Sequence, residues 1–420
     1  MKKFLAVMLV AAMMVFAFAA CGQNTDPAGE NTDNQGEVNN ETKKTEVKFG
    51  VICLHDEAST YDNNFINGVK EAQAALGLSD DQIIIKRNIP ESNECYEAAA
   101  DLVDEGCNII FADSFGHEDF MIKAAKEFTD VQFCHATGTK AHTENLSNFH
   151  NAVASIYEGR FLAGVAAGMM LIEMIEAGTI TADNAHMGYV GAFTYAEVIS
   201  GYTSFYLGAK SVCPTVTMDV QFTGSWYDET AEKTTALSLI NGGCVLISQH
   251  ADSMGAPSAC EEKNVPNVSY NGSTVESCPN TFIVSSRINW APYFEYIMTA
   301  IQNGTAIDTD WCGTIETGSV VLTDVNTKAA AAGTQDAINK VQEDLKSGAV
   351  KVFDIKNFTV GGAELTTYLA DVDTDAAFEK DTEAIKAAGD IKYFAESSDR
   401  SAPYFDVQID GITLLNTNFG

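Results

Sequence analysis

Three polar side chains follow an apolar run in "CVLISQHADSMGA", residues 244–256. His250, Asp252 and Ser253 are the residue types of a base, an orienting acid and a nucleophile. A catalytic triad needs its base within about 3 Å of the nucleophile, and a third group that orients the base. On one short strand-to-helix turn the three side chains point in different directions, and the nucleophile elbow G-x-S-x-G is missing. We therefore predict a ligand-binding turn that contains no catalytic residue, in which Ser253 is the N-cap of the next helix.

Metal and cofactor chemistry finds little support in the rest of the sequence. The other histidines (His55, His117, His135, His142, His150 and His186) show neither H-x-x-x-H nor H-E-x-x-H spacing. The cysteines are irregularly spaced without a C-x-x-C pair, which argues against a zinc site or a disulfide framework. The formal net charge of −33 would repel a phosphate backbone. We expect no metal, no cofactor and no nucleic-acid partner.

Short apolar runs alternate with helix-length stretches from Val47 onward. "KFGVICL", "IIIKRNI", "NIIFADS" and "VQFCHAT" are almost continuously apolar, which is typical of parallel strands covered on both faces. The rhythm recurs in "HMGYVGAF", "TVTMDVQF", "CVLISQHA" and "VPNVSYN". The pattern predicts an α/β protein of two lobes, each a parallel sheet with helices on both faces, with a ligand cleft between them. The first lobe is expected at 47–155 with about 286–325, and the second at 156–285.

The polar residues at the predicted strand ends are candidate ligand contacts, because ligands bind beyond the carboxyl ends of parallel strands. Aromatic residues accompany them in both lobes: Tyr61, Phe115, Phe193, Trp226 and Trp290. Flat side chains that face each other across a cleft suit a planar heteroaromatic ligand, whose edges Asp and Asn can hydrogen-bond. The alternative is that some of these aromatics, Phe115 and Phe193 above all, belong to the core.

The N-terminus resembles a lipoprotein export signal. "MKK" is cationic, residues 4–18 are apolar, and "AAC" follows. The apolar stretch is shorter than the ~20 residues that span a membrane, which favours a signal peptide (1–20). Phe18-Ala19-Ala20-Cys21 resembles the lipobox of bacterial lipoproteins and predicts Cys21 as the lipidation site; the alternative is a plain secretory signal. Residues 21–46 are poor in apolar side chains and are predicted to form a flexible tether.

Two later segments are also informative. "YEGRFLAGVAAGMMLIEMIEAG" holds a G-x-x-x-G at Gly164 and Gly168, but its apolar run is bounded by Arg160 and Glu173 and is short for a membrane helix. We predict a closely packed core helix, with a membrane helix as the alternative. The C-terminal extension (326–420) is predicted to be an added α/β segment, with strands in "VKVFDI" and "YFDVQIDGITLL" and helix in the acidic, Ala-rich stretch between them.

An ordered succession of motifs resembles one known family. The strings are "STYDNNFINGV", "FADSFGHEDFMIKAAKEFTD", "YEGRFLAGVAAGMM", "GYVGAFTYAEVISG", "GSWYDET", "QHADS" and "NWAPYF". Over about residues 47–325 they resemble the basic membrane protein (BMP, PnrA-like) family of ABC-importer substrate-binding lipoproteins. The resemblance implies a type I periplasmic-binding-protein fold that closes on one small ligand, a purine nucleoside or nucleobase in well-known members.

The resemblance also suggests which residues contact the ligand. Tyr61 stands where the family stacks an aromatic on the base, Trp226 lies in a second matching motif, and "QHADS" supplies His250 and Asp252. The remaining predicted ligand-binding residues are Asp62, Asn63, Ser114, Phe115, Phe193, Asp228, Asn271 and Trp290. The chain has Tyr270-Asn271-Gly272 where many members have an Asp after the sixth strand, so ribose recognition does not follow from the resemblance.

The predicted function is ligand capture for an ABC importer, without enzyme activity. The protein would be lipid-anchored through Cys21 on the extracellular or periplasmic face of the cell membrane, with a purine-like small molecule, a permease and an ATPase as partners. One alternative is a sensing lipoprotein with the same cleft that signals to a membrane receptor. The other is a nucleoside-processing enzyme, which would need an acidic or metal cluster at a strand end.

Overall fold

The computed structural model describes residues 45–373 and 379–419. The predicted signal peptide, the Cys21 lipidation site and residues 21–44 of the predicted tether lie outside these residues. Within the described part of the chain, no helix is both long and apolar enough to cross a membrane.

The first lobe is built from five strands and four helices at the start of the described chain. The strands are β1 (Phe49–Ile52), β2 (Ile83–Lys86), β3 (Ile109–Ala112), β4 (Gln132–Ala136) and β5 (Phe149–Ala154). The helices are α1 (Thr60–Leu76), α2 (Asn93–Asp104), α3 (Glu118–Glu127) and α4 (Ala141–Glu144). All neighbouring strands pair in parallel. Ile109 and Phe111 of β3 belong to one hydrophobic cluster and Ile110 and Ala112 to another, so both faces of the sheet are covered.

The second lobe repeats this arrangement. Its helices are α5 (Ile156–Glu176), α6 (Ala196–Val212), α7 (Glu229–Asn241) and α8 (Gly255–Lys263). Its strands are β6 (His186–Gly191), β7 (Thr217–Phe222), β8 (Leu246–His250), β9 (Asn267–Tyr270) and β10 (Phe282–Ile288). These five strands are parallel to one another. The predicted α/β fold of two parallel sheets is confirmed.

The chain after β10 alternates between the two lobes. Its elements are α9 (Ala291–Asn303), β11 (Asp310–Gly313) and β12 (Val320–Leu322). Helix α9 packs on α1, and β11 extends the first sheet beside β5. Strands β10 and β12, by contrast, pair with each other in the second sheet. Packing and strand pairing thus put α9 and β11 beside the first sheet and β12 with β10 in the second sheet, and the expected boundaries of the lobes stay a prediction.

Helix α5 is a core helix that contacts α6 through glycines. A Cβ on Gly164 would lie 2.0 Å from the Phe205 carbonyl oxygen, and one on Gly208 would lie 2.0 Å from the Phe161 carbonyl oxygen. The two backbones thus approach as closely as glycine permits. Arg160, near the start of α5, is fully buried in the same layer. The prediction of a closely packed core helix is confirmed.

The C-terminal extension contributes one helix and several short strands. They are α10 (Thr334–Lys346), β13 (Leu369–Ala370), β14 (Thr382–Glu383), β15 (Ile385–Ala388), β16 (Ile391–Phe394) and β17 (Ile412–Leu414). Strand β17 adds to the second sheet in parallel with β7. The described residues of the Ala-rich stretch (369–373 and 379–390) contain no helix, and Gly389 at φ 60° turns the chain between β15 and β16, so the helix prediction is wrong there. The strand predicted in "VKVFDI" is also wrong; Val352, Phe353 and Ile355 are buried without strand pairing, and Asp354 forms one isolated bridge.

Candidate functional site

A cavity lies where the carboxyl ends of strands from both lobes meet. It holds about 400 Å³ of empty space, counting the part that opens to solvent. The first lobe lines it with Leu54, His55, Tyr61, Asp62, Ser114, Phe115 and Thr137. The second lobe lines it with Glu197, Trp226, His250, Asp252 and Tyr270. This is the position at which open α/β sheets bind ligands.

Aromatic side chains form the walls of the cavity. In the second lobe, the ring of Trp226 lies 4.9 Å from Phe193, which stacks on Tyr195 at 5.2 Å. Phe115 of the first lobe meets Tyr195 at 5.4 Å, so the two lobes contact each other through rings. Tyr61 is held on the opposite wall because its hydroxyl donates to the carbonyl of Asp113 at 2.8 Å. The cavity therefore offers flat apolar surface from both lobes.

Two carboxyl groups of the first lobe lie at the carboxyl ends of β1 and β3. Asp62 accepts hydrogen bonds from the His55 amide (2.7 Å) and the Ser59 hydroxyl (2.5 Å). Burial alone would raise the pKa of Asp62, but hydrogen bonds from His55 and Ser59 hold that pKa below its ordinary value. Burial, followed by the charge of Asp62, raises the pKa of Asp113 well above its usual range. Asp62 is thus an anionic acceptor beside an Asp113 that favours its protonated form.

The second-lobe side of the cavity is built around His250. Its Nδ1 lies 3.4 Å from the Tyr189 hydroxyl, and its Nε2 lies 3.6 Å from a Glu197 oxygen. Burial lowers the pKa of His250, and the nearby Glu197 carboxylate only partly opposes this effect, so the imidazole favours its neutral form. The Tyr270 ring packs 4.2 Å from the imidazole, and its buried hydroxyl has no hydrogen-bond partner among the described residues. That hydroxyl is free to bind a ligand.

Asp252 connects the two lobes at the base of the cavity. Its carboxylate accepts from the Asn271 amide at 3.0 Å, and its backbone carbonyl accepts from the Thr60 amide at 3.2 Å. The side chain of Asn64 in α1 donates to the Asn271 carbonyl at 2.9 Å. Burial, and then the charge of Glu232, raises the pKa of Asp252 well above its usual range. These bonds between α1 and the strand ends of the second lobe hold the two lobes together.

The turn at His250 contains no catalytic triad geometry. His250 contacts Tyr189 and Glu197, whereas the Ser253 hydroxyl accepts from the Gly255 amide at 3.0 Å. The predicted N-cap position is wrong by one residue, because Met254 directly precedes the helix. Ser253 nevertheless binds a backbone N–H of the first turn, which is the role of a capping hydroxyl.

Several predicted residues lie away from the cavity. Trp290 is 1% exposed and stacks on Phe65 at 4.5 Å, so it belongs to the core. Asp228 is exposed and caps α7 by accepting from the Ala231 amide at 2.9 Å. The Asn63 side chain accepts from Asn67 on the exposed face of α1. Phe193 and Asn271 lie behind the cavity wall, where they support Trp226 and Asp252.

Five lining residues were not among those predicted from the sequence: Leu54, His55, Thr137, Glu197 and Tyr270. Tyr270 directly precedes Asn271, and Glu197 ends the "TYAE" string that follows β6, so strand-end position could have found both. Thr137 has a positive φ of 62°, a backbone conformation that is rare for threonine, so its place in the cavity could not be predicted from the sequence.

Two groups of three side chains in the described residues have the spacing of metal ligands. They are Cys53, Asp62 and Asp113 beside the cavity, and His186, Asp219 and Cys244 in the second lobe. Burial raises the pKa of the Cys53 and Cys244 thiols, so both favour the protonated form, which is a poor metal ligand. The described cysteines are all free.

Comparison with known proteins decides the family. The family model of PnrA-like ABC transporter substrate-binding proteins (Bmp) matches residues 50–361, well over half of the chain. The chain belongs to this family. A purine-binding protein of Brucella abortus is 31% identical over 257 residues, which cover 61% of this chain and 66% of that protein.

Other relatives of this PnrA-like protein extend the comparison. A Haloferax volcanii protein, named as a glucose-binding protein of an ABC transporter, is 31% identical over 216 residues, 51% of either chain. The chain thus spans between half and two thirds of these two relatives. An ABC transporter solute-binding protein of Aeropyrum pernix has a TM-score of 0.61 at 16% identity, covering 73% of this chain and 93% of that one. That structural similarity confirms the predicted type I periplasmic-binding-protein fold.

Proposed function

We propose that this PnrA-like protein captures a purine nucleobase or nucleoside outside the cytoplasmic membrane and delivers it to an ABC permease and its ATPase. In this proposal Cys21 carries the lipid anchor. The observation that carries the ligand assignment is the pairing of aromatic walls from both lobes with acidic and hydroxyl groups between them. The purine-binding relative supports the same assignment.

The chemistry of the cavity fits a neutral purine. A planar ring can lie against Trp226 on one side and Tyr61 or Phe115 on the other, where aromatic pairs contribute about 0.5–1.5 kcal/mol beyond the buried area. Ring and amino N–H groups of the purine can donate to Asp62 and Asp252, and the Tyr270 hydroxyl can donate to a ring nitrogen. The lobes close around the ligand through the bonds of Asp252.

Thermal unfolding of the purified protein with a ligand panel tests this proposal. A ligand at 100 times its dissociation constant adds about 2.7 kcal/mol, a shift of a few degrees even for a chain of this size. We expect adenine, adenosine, guanosine or inosine to raise the unfolding temperature, and uridine and glucose to leave it unchanged. The ligand assignment would be contradicted if only glucose or riboflavin raised the unfolding temperature, or if no purine raised it.

A further inference from the structure

The C-terminal extension borders the outer part of the ligand site. A second cavity, with about 500 Å³ of empty space, shares Phe115, Thr137, Glu197 and Trp226 with the first. Arg400 and Pro403 of the extension line its far side. Since the family model ends at residue 361, these two residues lie outside the family's matched region. The cleft therefore continues into space that the extension encloses.

The loop that carries Arg400 is fixed on both sides. The Glu396 carboxylate accepts from the backbone amides of Tyr404 (3.1 Å) and Phe405 (2.8 Å). The amide and hydroxyl of Ser401 both donate to one Asp310 oxygen in β11, at 2.9 and 2.5 Å. Because Ser401 directly follows Arg400, these bonds attach the loop to β11 and restrain the position of Arg400.

The guanidinium of Arg400 has hydrogen-bond donors to spare. Its Nη1 donates to the Asp371 carbonyl at 2.9 Å, and its Nη2 makes a long 3.4 Å contact with the Pro403 carbonyl. Its Nε is buried and has no partner among the described residues. Arginine carries five N–H donors, and a buried donor without a partner is unfavourable, so an acceptor on a ligand would be stabilising here.

The charges around the second cavity indicate the chemistry of that ligand group. Glu197 supplies a carboxylate on the wall shared by the two cavities, Arg400 supplies donors to the second cavity, and Thr137 and Thr139 contribute hydroxyl-bearing side chains. A phosphate would be repelled by Glu197, whereas a neutral hydroxylated group can donate to Glu197 and accept from Arg400. We propose that the loop from Glu396 to Phe405 is a third wall of the ligand site, and that Arg400 selects ligands whose planar ring carries a sugar-like substituent. This inference rests on the proposed function.

The test compares adenine with adenosine, which differ by the ribosyl group, in wild type and in Arg400→Ala by calorimetric titration. We expect Arg400→Ala to weaken adenosine binding about tenfold, the effect of a lost hydrogen bond to a charged group, and to change adenine binding less than twofold. Arg400→Lys keeps the charge but loses the fork geometry, so an intermediate loss is expected. Lys392→Ala, an exposed site in the same extension, is the matched control and should change neither affinity.

Each contrary outcome has a distinct meaning. Equal losses for adenine and adenosine, or no loss for either, would overturn the role of Arg400 and leave the proposed function standing. If Arg400→Ala changed the association and dissociation rates by the same factor and left the affinity constant, Arg400 would control ligand entry, and its proposed role in selection would be wrong. If AMP bound wild type more tightly than adenosine, the second cavity would select a phosphate, and the proposal of a sugar-like group would be wrong. Wild type that binds none of these compounds would overturn the proposed function and this inference with it.

Discussion

Replacing Trp226 with alanine tests the stacking interaction on which the ligand assignment depends. The indole is half-buried at the cavity and packs 4.9 Å from Phe193. The Trp226 backbone carbonyl accepts from the Asp252 amide at 3.0 Å, a bond that alanine retains. The loss should therefore be confined to the ring. One aromatic pair is worth about 0.5–1.5 kcal/mol beyond its buried area, so the lost stacking should raise the dissociation constant about two- to tenfold, and the lost buried area should raise it further.

Tryptophan fluorescence provides the assay, because the chain has three tryptophans and they occupy different surroundings. Trp226 lines the cavity, Trp290 is 1% exposed in the core, and Trp311 packs on Tyr293 at 4.8 Å. Ligand should change the emission of wild type. In Trp226→Phe, which keeps a ring, calorimetry should still show binding while most of the emission change is lost.

A matched control separates stacking from general destabilisation. Trp311→Ala removes a half-buried tryptophan from the edge strand of the first sheet and should leave affinity unchanged. If Trp226→Ala unfolds at a temperature near that of wild type and binds with unchanged affinity, Trp226 is not part of the site. If Trp311→Ala weakens binding as much, the loss reflects stability and the stacking argument fails.

Two further predictions concern lobe closure and pH. Asn64→Ala removes the buried hydrogen bond to the Asn271 carbonyl, a net loss of about 1 kcal/mol, and should weaken ligand binding several-fold. Asn63→Ala, on the exposed side of α1, is the control and should leave binding unchanged. Equal effects of the two substitutions in a titration would contradict this prediction. Burial raises the pKa of Glu396 from 4.5 to about 8, so the stability it contributes is complete below pH 4.5 and is lost as pH rises through 8. Glu396→Gln should flatten the fall in unfolding temperature over that range, and an unaltered pH profile would refute the assignment.

The parallel sheets were predictable because their strands are covered on both faces and the sequence shows this directly as continuous apolar runs. Residues 109–112, "IIFA", are buried throughout in β3, as the pattern indicates. The Ala-rich extension was not predictable in this way. Alanine favours helix, but Gly389 at positive φ and the pairing of Ile385 with Phe394 impose a hairpin, so tertiary contacts override propensity.

The positions of the predicted strand ends located the site correctly, but they did not identify all of the residues that line it. Trp226 and Asp252 follow their strands directly and line the cavity, but Asn63 and Asn64 differ only in the direction in which α1 presents them. A helix turns about 100° per residue, so neighbouring residues such as Asn63 and Asn64 face different surroundings, and a motif aligned one residue out of register picks the wrong one. Arg400 could not be found from local pattern at all, because it reaches the cavity only after the extension folds back on the lobes.

Arg160 is a fully buried charged residue that does not line the cavity. Its guanidinium is bonded to the Ser248 hydroxyl (2.6 Å) and the Ser269 carbonyl (3.1 Å), on the strands that end at the cavity. The charge of this group lies behind the wall and is partly satisfied there by neutral dipoles. Asp252 and Asp113 meanwhile favour their protonated forms, because burial raises the pKa of both. In the proposed function a purine would meet an anionic acceptor in Asp62 and an acid that favours its protonated form in Asp252, and both can hydrogen-bond the edge of a neutral heterocycle.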